Sequence, residues 1–114
     1  MLSIDMLQQF GANTREGLGR CMNNETFYLR LVNMGLDDAS FDRLEAALRN
    51  DDRKAAFEAA HALKGVMGNL ALTPLYEQLS ELTELLRADS DADYPALLNK
   101  IMEKRRALIA FRGD

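Results

Sequence analysis

His61 is the only histidine in this sequence and Cys21 the only cysteine, so nucleophilic and acid–base chemistry near neutral pH has few places to reside. His61 stands in the stretch AAFEAAHALKGVMGNL (55–70), with Glu58 three residues before it, Lys64 three after it, and glycines at 65 and 68. An imidazole of ordinary basicity is partly neutral near pH 7 and is then a competent nucleophile toward phosphorus. The phosphoryl group it acquires is anionic, and an ammonium one helical turn away, that of Lys64, is placed to stabilise it as a point charge. Other chemistries lack parts. Glu58-x-x-His61 is half of a di-metal carboxylate arrangement, which needs a second such pair and inward-facing ligands. A self-sufficient hydrolase or transferase needs a nucleophile paired with a second base, and Cys21 and the serines lie in segments unrelated to His61.

The stretch reads as one helix. At about 100° per residue, Ala56, Ala59, Leu63, Val66, Met67 and Leu70 fall on one side and form a core stripe. Lys54, Phe57, Glu58, His61, Lys64, Gly65 and Gly68 fall on the other, so His61 is expected to be exposed. A glycine inside a helix costs about 1 kcal/mol relative to alanine. Gly65 and Gly68 add nothing to the core, and what they offer is absence of bulk, through which another protein's backbone can approach the imidazole. Phe57, one turn before His61, leaves two readings open: packing under the N-terminal segment against Leu7 or Phe10, or an apolar docking patch.

That helix must be held by the rest of a 114-residue chain, a length for one compact domain with a core of its own. The composition, 47% hydrophobic and 28% charged with no Trp and two Pro, favours helix, because unbranched side chains lose little rotamer freedom there. Ser3 caps a short helix to Phe10 with Gly11 as its stop, and Asn13 with Glu16 resembles a capping box for a second, ending near Asn23. Asn23 or Asn24 caps a helix to about Leu36 carrying Phe27, Leu31, Met34 and Leu36. A segment from about Ala39 to Arg49 follows, with Phe41, Leu44 and Leu48 on one face. The histidine helix runs from about Asp52 to Leu70. Thr73 as cap and Pro74 at the first helical position open the next, to about Ala88. A last helix, from about Tyr94 to Phe111, points Leu97, Leu98, Ile101, Leu108 and Phe111 inward. Short connections make consecutive helices antiparallel neighbours, so the expected fold is all-α, an antiparallel four-helix bundle over 24–112 with 1–23 as short cover helices.

The charge is −4, and the densest basic group, Lys100, Lys104, Arg105 and Arg106, lies near the end of the last helix, where cations complement the dipole. No nucleic-acid face is expected from it. A single cysteine cannot form an internal disulfide, and Cys21 reads as a small, half-buried hydrophobe. Neither a signal peptide nor a run of about 18 apolar residues is found, so the expectation is a cytoplasmic chain without a membrane span.

His61-Ala62-Leu63-Lys64-Gly65 followed by Gly68-Asn69-Leu70 resembles the signature of histidine-containing phosphotransfer (HPt) domains, roughly H-x-[LIF]-K-G-x-x-x-[NS]. FDRLEAALRN and RKAAFEAAH before it, and LTPLYEQLSELTELLRA after it, are similar to the family's flanking helices, so the resemblance covers about Glu25 to Phe111. It implies a four-helix bundle and a bacterial phosphorelay carrier. His61 would accept a phosphoryl group from a receiver-domain aspartate and pass it to another, with Lys64 beside the phosphoryl group. Gly65 would be the small residue that admits the receiver, and Gly68 and Asn69 would line the same surface, with Phe57 and Glu58 at its near end. A polar side chain on the next helix orients the imidazole in some relatives; Thr83 and Ser80 are the candidates here. The resemblance further implies no cofactor in this chain, since Mg²⁺ would come from the receiver. Its partners would be receiver domains and hybrid histidine kinases on other chains, and it would have no kinase activity of its own; a monomer is expected because the Leu-rich helices suffice for one core and leave no second apolar stripe. A helical adaptor that binds such partners without chemistry is the alternative.

Overall fold

The computed structural model describes residues 1–112. Among them lie seven helices and no strand: α1 (Ile4–Phe10), α2 (Thr14–Arg20), α3 (Glu25–Leu36), α4 (Ser40–Arg49), α5 (Arg53–Asn69), α6 (Thr73–Arg87) and α7 (Tyr94–Ala110). Local chemistry explains most of the starts. Ser3, Asn13, Asn24, Asp52 and Asp93 each accept a backbone N–H bond three residues on, satisfying a donor that the first turn leaves free. Thr73 does not cap α6. Its N-cap is the fully buried Leu72, which makes no side-chain capping bond, so the helix begins one residue earlier, at Thr73, whose hydroxyl donates to the Ala71 carbonyl at 3.5 Å.

Helices α4 to α7 pack each against the next, and α4 closes on α7. Phe41 and Leu44, then Ala56, Ala60, Leu63 and Met67, then Leu75, Leu79 and Leu82, then Ile101 and Leu108 fill the space between them. Val66, Leu48, Leu97, Leu98 and Phe111 are half-buried at its margin rather than central. The expected bundle span of 24–112 therefore divides. The four-helix core is α4–α7, and α3 lies outside it, against α7 and α2. Gly68 meets Tyr76, and the Arg87 guanidinium lies over the Phe57 ring; these contacts make α5 and α6 antiparallel and fix their register.

Helix α3 turns a different face inward from the one its largest residues suggest. Phe27 and Met34 are 43% and 63% exposed, while Tyr28, Val32, Gly35 and Leu36 are buried. The cause is close approach to the far end of α5. A Cβ at Gly35 would lie 2.6 Å from Leu70 Cδ1, and one at Gly17 would lie 2.5 Å from the Tyr28 ring. Both glycines let backbone press against a buried side chain, so neither helix can rotate without losing that packing.

The same segments finish the C-terminal end of α5, where a helix leaves carbonyls without intrahelical partners. Arg20 donates to the carbonyls of Gly68 and Asn69 at 2.7 and 3.0 Å, the Tyr28 hydroxyl to that of Leu70 at 2.7 Å, and the Asn13 N–H to that of Ala71 at 2.9 Å. Residues of α2 and α3 thus clamp four successive carbonyls just beyond the histidine's turn of helix. Burial is the main reason the Tyr28 hydroxyl is pushed up to about 12; nearby Cys21 adds to the rise and Arg20 opposes it.

Candidate functional site

His61 sits at the middle of α5, exposed, with Leu63 and Ala60 fully buried on the core side. Helix geometry alone explains this: the core stripe is anchored by α4 and α6, and His61 lies off it. Lys64, one turn on, is half-buried and forms no ion pair among the described residues. Gly65 is exposed, and a Cβ built there meets nothing within 4 Å. The face above the imidazole is therefore open, as the wheel suggests.

Gly68 behaves differently. A Cβ there would lie 3.0 Å from two ring atoms of Tyr76, so its lack of a side chain accommodates Tyr76 of α6 and does not leave an open approach. This corrects the expectation of clear space at both glycines. Tyr76 in turn becomes a wall of the site, 38% exposed.

His61, Lys64, Gly65, Gly68 and Asn69 are brought together in one groove of about 650 Å³. Its opposite wall was not expected: Asn13, Glu16 and Arg20 of the α2 segment, with Thr73 and Tyr76 of α6. Arg20 is ion-paired with Glu16 as well as bonded to the α5 carbonyls. The capping pattern at Asn13 predicts a helix there, but nothing local says which surface it covers.

Two of the expected site residues lie elsewhere. Glu58 lines a second groove, of about 440 Å³, between α4 and α5, with Ser40, Arg43 and Asn50. It does not line the His61 groove. Among the described residues no group of three or more His, Cys, Asp and Glu side chains is placed to hold a metal ion. Phe57 is half-buried, and its stacking partner is within its own helix. It stacks on His61, with ring centroids 5.7 Å apart and planes 11° from parallel, and it borders a small cavity with Leu86 and Arg87.

The α5–α6 register sets Thr83 opposite His61 and Ser80 opposite Lys64. Thr83 is fully buried, and its hydroxyl donates to the Leu79 carbonyl at 2.6 Å. The Ser80 hydroxyl is buried without a hydrogen-bond partner. Neither is bonded to the imidazole.

No helix among the described residues is long and apolar enough to cross a membrane. No curated protein and no solved structure matches the chain. The model of the Hpt domain matches residues 37–111, which is α4 to α7 with the turn that precedes them. Domains of this family act in histidine phosphotransfer within phosphorelays, as phosphocarriers rather than kinases, beside receiver and kinase partners. An exposed histidine at mid-helix of a four-helix core, and a family match that spans that core, lead to one conclusion: the chain belongs to the Hpt domain family.

Proposed function

We propose that His61 accepts a phosphoryl group from the aspartyl phosphate of a response-regulator receiver domain and passes it to a second receiver. The observation that carries this reading is the open space over Gly65 beside an exposed imidazole, in a chain of the Hpt family. A neutral imidazole nitrogen forms the P–N bond as the P–O bond of the acyl phosphate breaks, and the aspartate leaves with the electron pair. The second ring nitrogen keeps its proton through this step, and the resulting ring charge is offset by the phosphoryl oxygens. Lys64, which forms no ion pair among the described residues, supplies a cation for those oxygens. Mg²⁺ and the acidic residues that bind it belong to the receiver, so this chain needs no cofactor. Gly65 and Asn69 belong to the docking face, with Gly68 behind Tyr76. The partners are receivers and hybrid kinases, met by a monomer in the cytoplasm.

Transfer of label from a radiolabelled phospho-receiver to the wild-type chain and to His61→Gln tests this. Label that reaches only wild type, is lost in acid and survives alkali identifies a phosphohistidine carrier. Unlabelled wild type that still binds the receivers points instead to an adaptor. The His61→Gln variant keeps its thermal stability, because the side chain lies outside the core.

A further inference from the structure

Next to His61 the aromatic ring of Phe57 lies on one side and the bare backbone of Gly65 on the other, each four residues away along α5. The 5.7 Å between the Phe57 and His61 centroids is close to the ~6 Å that a helix rises in four residues. With planes 11° apart, the two rings stand out from the helix as parallel shelves. The lower shelf is itself held: Phe57 packs against the core, and the Arg87 guanidinium of α6 lies 5.3 Å from its ring centroid. Arg87 is tied back to Glu84 at 3.4 Å.

We propose that Phe57 is the positioning residue of the phosphoacceptor: its stacked ring sets the plane of the His61 imidazole, and it is not part of the docking surface. This rests on the phosphoacceptor role of His61. The lone pair of an imidazole nitrogen lies in the ring plane, so fixing that plane fixes the direction from which phosphorus must be met. A hydrogen bond could do the same, but neither polar side chain opposite is bonded to the imidazole. Thr83 is committed to the Leu79 carbonyl, and Ser80 is buried without a partner. Stacking from below therefore takes the place of a hydrogen bond from α6, and it leaves the face above Gly65 clear for the partner.

Phe57→Leu keeps an apolar side chain and removes the stack; Phe57→Tyr keeps the stack. Transfer from a labelled phospho-receiver is measured over a range of receiver concentrations. The imidazole proton shifts are read in the same proteins by NMR, where the single histidine makes assignment direct. In Phe57→Leu, kcat falls about tenfold with KM little changed, as expected for lost orientation. Its imidazole protons also lose the ring-current displacement seen in wild type, and Phe57→Tyr restores both. An unchanged kcat in Phe57→Leu overturns the proposal, as does a rise in KM alone, which would make Phe57 a docking contact. If no receiver labels the wild-type chain, the phosphoacceptor role fails instead. The proton shifts then still decide whether Phe57 holds the ring.

Discussion

A side chain at position 65 enters the space through which a receiver must reach the imidazole, whereas one at position 68 meets Tyr76 of the same chain. Two glycines that a helical wheel treats alike therefore give opposite expectations. Gly65→Phe keeps or slightly raises helix stability, since a mid-helix glycine costs about 1 kcal/mol, and it blocks transfer. A displacement of reacting groups by 1 Å can cost about 10²-fold, so at least that loss is expected in the labelling assay. Unimpaired transfer by this variant would mean that the partner approaches from another side. Gly68→Ala needs only a shift of the partly exposed Tyr76 ring, and transfer close to wild type is expected with a stability change within about 1 kcal/mol. The exposure of His61 and the place of Lys64 one turn beyond it were legible at this scale because both follow from the helical period alone. The role of Gly68 was not, because its neighbour across α6 is a matter of register.

At the scale of elements, what could be read and what could not separate by sequence distance. Caps at Ser3, Asn13, Asn24, Asp52 and Asp93 act over three residues, and each helix that they start follows from local chemistry. The inward face of α3 depends on Leu70, more than thirty residues away, and the place of α2 depends on carbonyls almost fifty away. No periodicity contains that information: Phe27, Leu31 and Met34 make as good a stripe as Tyr28, Val32 and Leu36. Helices α1 to α3 lie outside the family match, yet α2 and α3 clamp the end of the histidine helix. Tyr28→Phe measures that clamp. It leaves the Leu70 carbonyl without its buried donor and keeps the ring, so a loss of about 1–3 kcal/mol in urea unfolding is expected. Backbone hydrogen exchange near Leu70 and Ala71 should rise in the same variant. A loss below about 0.5 kcal/mol with unchanged exchange would mean that ring packing over Gly17, and not the hydrogen bond, fixes α3.

Over the whole molecule, two contacts tie the outer segments to the bundle and fail at opposite ends of the pH scale. At one end of the fold Arg112, past α7, makes a bidentate pair with Asp37, past α3, at 2.9 and 3.1 Å. The hydrogen bonds from Arg112 hold the Asp37 carboxyl below its ordinary 3.8; desolvation opposes them, and the attraction of the Arg112 and Arg105 charges adds to the lowering. A carboxylate depressed in the folded state contributes stability above its unfolded value, and the contribution is lost as pH falls through the folded value. The pair is largely solvent-facing on the Asp37 side, so about 0.5–1 kcal/mol is expected from it. Tyr28 has the opposite sign. Its folded value of about 12 lies above its ordinary 10.0, so its neutral form is favoured by folding. That contribution is complete below pH 10 and is lost as pH rises through about 12. Stability should therefore be flat across the neutral range and fall at both ends for separate reasons. Urea midpoints of wild type, Asp37→Asn and Tyr28→Phe across pH test this. The wild-type advantage over Asp37→Asn should be lost as pH falls below the ordinary 3.8 and shrink in high salt, and the advantage over Tyr28→Phe should close only above pH 10. If both differences instead stayed constant with pH, the two side chains would stabilise the fold by packing alone.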